Sequence, residues 1–515
     1  MQTAALHDWL NQELQRNPPQ GLTRQPGAVL LSLIRRAILD NVLVAGERIP
    51  SSRELARELD VARNTVVDVY EQLKSEGMLV AGQGAGTFVC PVLRGPRPYT
   101  RASTPGDAAL RPARGERPLR LSRRGQAYQS HPIHRFWAPQ AFGSGRVDLS
   151  LFPLATWNRL QRRHIAQASA CYLESGEEGG SLDLRSAIAS HLRTARGVRC
   201  QAEQVILTDG TVESLELIAR LMTDPGDIAL TENPCYWGAG HVLSGHGLSM
   251  RALDVDGQGL PLPTPEQLPQ PPRLVYLTPS HQFPMGHVMT LPRRMEWLRY
   301  AEQHDAILLE DDYDSEYRYE GKPFPSLQGM HETDRVMYMG TFSKSLYPGI
   351  RMAYLVVPES LRAVFATASS DFYRDGDMVL QRTLADFIRE GHYAAHIRVT
   401  RREYAVRREA LRTALLAELS VEFEQGLMTL SGGTMGMHMT LLLPLWADDQ
   451  TIAQAAAALG VTLVPLSIYC VSTRHSGLLL SYAAVPCDQI AAKVAIIAPV
   501  IRQALACQPR STKAM

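Results

Sequence analysis

The acidic run Glu310-Asp311-Asp312-Tyr313-Asp314-Ser315-Glu316, followed by Gly340-Thr341-Phe342-Ser343-Lys344 and then by Arg351, decides the fold. Each piece follows an apolar block, Ala306-Ile307-Leu308-Leu309 before the first and Val336-Met337-Tyr338-Met339 before the second, which is the pattern of strands buried on both faces. A carboxylate cluster alone points to a metal ion. A lysine 33 residues after Asp311 and an arginine 7 residues after that lysine fit different chemistry. Pyridoxal 5'-phosphate requires an amine that forms a Schiff base, a carboxylate that keeps the ring nitrogen protonated, and donors for the phosphate. Lys344, Asp311 and Arg351 are of those three kinds, and the Arg351 fork suits bidentate phosphate contact. The hydroxyls of Thr341 and Ser343 can reach the same anion, and Gly210-Thr211-Val212 stands where a strand gives way to a helix N-terminus, an anion site. Asp312, Asp314 and Glu316 are read as structural or solvated acids and no metal is expected, because no His or Cys accompanies them in sequence. His281 is open between packing and a pocket role.

Outward from this segment, Val205-Ile206-Leu207-Thr208, Ile228-Ala229-Leu230 and Leu274-Val275-Tyr276-Leu277 repeat the alternation of short β-rich runs with helical stretches. The pattern predicts an α/β region over 145–508, with a large, mostly parallel, doubly covered sheet and a small α+β lobe at its C-terminal end. Arg185 with Ile188, Arg196-Gly197-Val198, Thr208-Asp209-Gly210-Thr211, Asp224-Pro225-Gly226-Asp227, Asn233-Pro234-Cys235-Tyr236 and Pro279-Ser280-His281-Gln282-Phe283-Pro284-Met285-Gly286 come in the order shown by fold-type I aminotransferases, which the chain resembles over about residues 145 to 505. The resemblance implies that Lys344 holds the cofactor, Asp311 pairs with its pyridine nitrogen, Tyr313 donates to its ring hydroxyl, Arg351 holds its phosphate and Tyr236 stacks on its ring. True aminotransferases carry a further arginine near the C-terminus for the substrate carboxylate. Here Arg474 lies in a loop-like stretch and no arginine follows in Gly477-Leu478-Leu479-Leu480-Ser481-Tyr482. Turnover of α-amino acids is therefore expected to be poor, and an effector without a carboxylate, or the cofactor itself, stays open.

At the other end, residues 20–91 read as three short helices and a hairpin. Leu30, Ile34, Ala37 and Ile38 mark one helix face, Ser51 and Glu54 have capping-box spacing, and Val66, Val69, Tyr70 and Leu73 mark the buried side of a third helix that stops at Gly77. Met78-Leu79-Val80 and Thr87-Phe88-Val89 flank a glycine-rich tip. Arg53, Arg63, Asn64 and Thr65 stand at helix starts, where a recognition helix meets base edges and phosphates, and Gly84, Gly86 and Thr87 belong to the wing. Pro50-Ser51-Ser52-Arg53-Glu54-Leu55-Ala56, Ala62-Arg63-Asn64-Thr65-Val66 and Gly84-Ala85-Gly86-Thr87-Phe88-Val89 resemble the GntR-type winged helix-turn-helix domain. Ala62 replaces the serine usual there, which costs a helix cap. The wing tip carries Gln83 and no basic residue, so backbone N–H groups and Thr87 would make its contacts.

Residues 92–144 join the two ends. Between Arg94 and Arg124 nine arginines face only Asp107 and Glu116, with prolines at 96, 98, 105, 112 and 118, which describes a basic, extended tether. The chain as a whole has 53 Lys+Arg against 52 Asp+Glu over 515 residues, a balance that excludes only a broadly basic nucleic-acid binder. Seven scattered cysteines with no CxxC pair argue against a disulfide framework or zinc site. No apolar run reaches the roughly 18 residues of a membrane span, and no basic-then-apolar leader opens the chain, so a cytoplasmic protein with no membrane partner is expected.

A GntR-type reader, a basic linker and an aminotransferase-like body together resemble the MocR group of bacterial transcriptional regulators. The resemblance implies a homodimer that binds double-stranded promoter DNA, holds pyridoxal 5'-phosphate on Lys344, and senses a small amine, an amino acid or the cofactor. The alternative is a catalytically active aminotransferase carrying a DNA-binding tether.

Overall fold

The computed structural model describes residues 9–10, 13, 26–40, 42–82, 86–91, 119–122, 124–126, 141–167, 176–321, 324–330 and 333–506. Most of the 92–144 linker lies outside the described residues, as do Gln83 and Gly84 of the wing tip. The chain divides into two compact units, Met1–Arg120 and Leu121–Met515.

In the first unit the helix Pro26–Leu39 buries Leu30, Ile34, Ala37 and Ile38, the face that the apolar spacing marks. The helix Ser52–Glu58 is closed by a reciprocal capping box between Ser51 and Glu54. The helix Arg63–Ser75 buries Val66, Val69, Tyr70 and Leu73 and starts at Ala62 with no side-chain cap, as the Ala62 departure implies. The chain then turns at Gly77, whose φ of 70° suits glycine. It continues as an antiparallel hairpin of β1 (Leu79–Gly82) and β2 (Gly86–Val89), in register from Leu79↔Val89 to Gly82↔Gly86. A third edge comes from Arg48, which bridges Phe88.

The buried Tyr70 hydroxyl donates to the Pro50 carbonyl at 2.9 Å and so ties the third helix to the lead-in of the second. Tyr70→Phe should lower the stability of this unit by about 1–2 kcal/mol, because a buried carbonyl loses its partner. The check is the midpoint of its denaturant transition in the full chain, and an unmoved midpoint would refute the tie.

In the second unit seven strands form one sheet in the order β3-β9-β8-β7-β6-β4-β5. These are β3 (Val205–Thr208), β4 (Ile228–Asn233), β5 (Ser249–Asp254), β6 (Leu274–Leu277), β7 (Ile307–Asp312), β8 (Val336–Thr341) and β9 (Ala353–Val356). Every residue of β3, β6, β7, β8 and β9 is buried, as expected of strands covered on both faces. The pairs β4–β5, β4–β6, β6–β7 and β7–β8 are parallel, whereas β9 runs antiparallel to both β8 and β3. The reason is the length of 342–352: a parallel return needs a crossover of about a dozen residues or more, usually a helix. That short connection carries Lys344 and Arg351.

The C-terminal lobe is a four-stranded antiparallel sheet, ordered β10 (Thr429–Ser431), β11 (His438–Leu443), β13 (Ser476–Ser481) and β12 (Val464–Pro465). The long helix His392–Glu418 packs against Cys487–Ala506. The latter is long and apolar enough to cross a membrane by length and composition, but it places Ile490, Val494, Ile497, Ala498, Ile501 and Leu505 in the lobe's core.

Candidate functional site

The parallel strands end together at their carboxyl edge, where open α/β sheets bind ligands. There a cavity of about 670 Å³ is lined by Lys344, Asp311, Tyr313, Tyr236, Arg351 and Thr341. Ser343, Gly210, Thr211 and Val212 line it as well, so every residue expected to hold the cofactor reaches one cavity.

Asp311 is placed by β7, whose last two residues are Asp311 and Asp312. Adjacent strand residues point to opposite faces, and the two carboxylates part accordingly. Asp311 faces the cavity, where Tyr276 from β6 donates its hydroxyl to Oδ2 at 2.6 Å. Its Oδ1 is buried without a partner among the described residues. Burial pushes the Asp311 carboxyl up to about 7, with Asp312 and Asp314 adding and Tyr276 and Lys344 opposing. Asp312 faces away and receives Arg196 Nε at 2.7 Å and the Tyr338 hydroxyl at 2.6 Å. Glu310 caps the backbone N–H groups of Leu327 and Gln328, and Glu316 accepts the Tyr393 hydroxyl. These three acids are structural.

Asp314 is different. It is buried and lines the cavity rather than being solvated, and both of its oxygens lie 3.0 Å from His281 Nδ1. The Tyr313 hydroxyl lies 2.9 Å from the same nitrogen. His438 of β11 completes a group in which ligand atoms of His281, Asp314 and His438 fall within 4.8 Å of one another. The histidines absent from the acidic run in sequence are thus supplied in space. His438 Nε2 donates to the Pro284 carbonyl at 3.1 Å, and burial holds the ring well below the ordinary histidine range, so it is neutral. His281 does not line the cavity; it backs Tyr313.

Lys344 is half-buried and its Nζ lies 3.5 Å from the Gly145 carbonyl. Burial lowers its pKa, offset by Asp314 and Asp311. Gly145 has a φ of 75°, a conformation that favours glycine, and a Cβ there would come 2.5 Å from Nζ and displace the tip of the lysine. At the opposite flank Gly210 precedes the helix Thr211–Met222, and the Arg351 guanidinium lies where a Cβ on Gly210 would touch it at 3.4 Å. Among the described residues Arg351 has no hydrogen-bond or ion-pair partner. A cation beside a helix N-terminus makes an anion site of the kind a phosphate fills. Tyr236 starts the helix Trp237–Gly245 and sets its ring edge-on to Phe283, with centroids 6.3 Å apart. A Cβ on Gly238 would fall 2.4 Å from that ring.

The sequence reading missed Ser144, Arg146, Tyr276, Tyr469 and Ser481, which also line the cavity. Tyr276 was detectable, since it sits in a strand that precedes a turn at the same sheet edge. Arg474 lies outside the cavity, exposed and paired with Asp448 at 3.2 Å.

In the first unit Arg53, Arg63 and Asn64 are exposed and Thr65 is half-buried, and the side chains of Arg53, Arg63 and Asn64 have no partner among the described residues. Gly86 and Thr87 lie on β2, and Gly84 lies outside the described residues.

Comparison with known proteins agrees at both ends. The family "Aminotransferase class I and II" matches residues 142–491, and "Bacterial regulatory proteins, gntR family" matches 29–89. The chain is 36% identical to "Probable rhizopine catabolism regulatory protein MocR" of Rhizobium meliloti, over 88% of this chain and 90% of that one. It is 32% identical to the "HTH-type transcriptional regulator TauR" of Rhodobacter capsulatus, over 85% and 88%. Among solved structures, LysN, an α-aminoadipate aminotransferase of Thermus thermophilus complexed with N-(5'-phosphopyridoxyl)-L-leucine, superposes with a TM-score of 0.66 at 24% identity, over 75% of this chain and 98% of that one.

Proposed function

The chain belongs to the class I and II aminotransferase family and to the MocR-type transcriptional regulators that carry this body behind a gntR-family domain, and from that premise we propose that it holds pyridoxal 5'-phosphate and senses a small amine or amino acid with it. The observation that carries the reading is the convergence on one cavity of a half-buried lysine with a buried carboxylate and an arginine at a helix N-terminus, the carboxylate's Oδ1 and the arginine both without a partner among the described residues. These match the aldehyde, the pyridine nitrogen and the phosphate of the cofactor, which when bound supplies that aldehyde to capture primary amines. Lys344 would hold the cofactor covalently, and Asp311 Oδ1 would accept a hydrogen bond from its protonated ring nitrogen. Tyr313 orients the ring oxygen, Tyr236 covers the ring, and Arg351 holds the phosphate with Thr341, Ser343 and the backbone of Gly210, Thr211 and Val212.

Sensing requires that the effector favour one arrangement of the protein over another, since equal affinity for both would shift nothing. An amine arriving beside Lys344 would compete with its Nζ for the cofactor's aldehyde, and release of the lysine side chain is the differential contact. Arg474 stands outside the cavity, so the carboxylate grip of a working aminotransferase is lacking at the place where the alternative reading needs it. Little transaminase turnover is expected. Because winged-helix readers engage paired half-sites as dimers, the working form is a homodimer on double-stranded promoter DNA in the cytoplasm. The Arg53, Arg63, Asn64 and Thr65 side chains, with Gly84, Gly86 and Thr87 on the wing, make the DNA contacts.

The test is the affinity of the full chain for its own promoter fragment, measured by fluorescence anisotropy with and without pyridoxal 5'-phosphate and a panel of amines and amino acids. At least one combination should shift it, and complete indifference would sink the sensing reading. In the same assay Arg63→Ala should weaken binding about 5- to 100-fold, the range for loss of a specific arginine contact. Unchanged affinity would remove Arg63 from the interface.

A further inference from the structure

We propose that Arg146 is the residue that recognises the acid group of the effector, so that the molecule sensed is an amino acid rather than a plain amine. The inference rests on the reading of the cavity as a cofactor and amine site, and it assigns the carboxylate contact that Arg474 does not make.

Arg146 lines the cavity directly after Gly145, the residue whose carbonyl lies 3.5 Å from Lys344 Nζ. An amine brought to that nitrogen is therefore beside the Arg146 backbone, with the guanidinium at the end of a flexible stem. Arg146 is exposed and has no hydrogen-bond or ion-pair partner among the described residues. This sets it apart from arginines nearby in the fold. Arg196 is taken by Asp312, and Arg407 by Asp148 at 2.6 Å. That second pair matters because Asp148 is the acid nearest to Arg146 in sequence, and it is already engaged.

Three lining side chains of the cavity carry permanent or potential positive charge besides the neutral His438: Lys344, Arg351 and Arg146. Lys344 is the anchoring amine, and Arg351 lies against Gly210 at the helix N-terminus, where the phosphate fits. Arg146 instead shares its part of the lining with Ser144, which is hydrogen-bonded to Tyr469, and with Ser481 at the end of β13. The remaining charged groups there, Asp311 and Asp314, repel a carboxylate. An acid group entering with an amine thus has one unclaimed cation to meet, and a planar guanidinium binds carboxylate with two parallel hydrogen bonds.

The test uses the full-length protein loaded with pyridoxal 5'-phosphate and follows the cofactor's visible absorbance during titration with matched pairs: glycine and methylamine, β-alanine and ethylamine, 4-aminobutyrate and propylamine. At least one acid should bind about 10- to 100-fold more tightly than its partner amine. In Arg146→Ala that preference should collapse to less than about threefold, with cofactor absorbance and amine affinity unchanged, and Arg146→Lys should restore part of it. A wild-type protein without acid preference in any pair, a preference that survives in Arg146→Ala, or an equal loss of acid and amine binding in that variant would each overturn the assignment. A protein with no cofactor absorbance before any ligand is added shows instead that the site reading beneath the inference has failed.

Discussion

Lys344→Ala is expected to remove every trace of covalently held cofactor from the protein. Its surroundings lower the pKa of the amine by desolvation, while Asp314 and Asp311 pull the other way, which favours the neutral, nucleophilic form beside Gly145. Among the described residues no other lysine lines the cavity, so none of them can substitute for Nζ. Borohydride reduction of the loaded protein followed by peptide mass analysis should place a pyridoxyl group on the peptide containing residue 344, and Lys344→Ala should give none. The same variant should still bind promoter DNA but lose its response to amines. Label retained on another peptide would sink the assignment, and a lost DNA affinity with an unfolded spectrum would mean that the lysine serves the fold.

The winged-helix end was legible almost residue by residue. Its helices are buried on one face only, so the spacing of Leu30, Ile34, Ala37 and Ile38, or of Val66, Val69, Tyr70 and Leu73, carries the burial directly. In the larger unit the Asp311, Lys344 and Arg351 series was legible because unlike chemistries stand at the end of β7 and on the short return from β8 to β9. The reversed direction of β9 was not, because it follows from the length of 342–352 rather than from any apolar pattern. The edge strand β5 was hidden by its exposed Arg251. Arg146, Tyr469 and Ser481 were missed for a different reason. They reach the cavity from before the first strand of the sheet and from the C-terminal lobe, so their proximity to Lys344 is a product of tertiary closure. The same holds for His281, Asp314 and His438, which no spacing in the chain brings together.

Asp311→Asn should act with opposite signs on the empty and the loaded protein. In the folded cofactor-free chain the Asp311 carboxyl titrates at about 7, against an ordinary value of 3.8. Below pH 3.8 the group is neutral folded or unfolded and costs nothing. Between 3.8 and 7 only the unfolded chain ionises, so the contribution of Asp311 to stability falls as pH rises and levels off above about 7. The full penalty is at most roughly 4 kcal/mol, from about three pKa units. Asparagine has the same shape, carries no charge at any pH, and its carbonyl oxygen can still accept the Tyr276 hydroxyl. Cofactor-free Asp311→Asn should therefore match the wild-type thermal midpoint of the larger unit near pH 4 and exceed it by several degrees at pH 8. Loaded protein should show the reverse, because the variant has lost the carboxylate that balances the protonated ring nitrogen, and the cofactor should dissociate more readily in dialysis. A variant less stable than wild type at pH 8 without cofactor would mean that the buried charge is not the cost assigned to it. A variant that keeps its cofactor as tightly as wild type would remove Asp311 from the ring-nitrogen contact. Glu232, Glu310 and Glu316 are likewise raised by burial, whereas hydrogen-bonding partners hold Asp148, Asp254 and Asp386 low, so only the gap between the two proteins reports on residue 311.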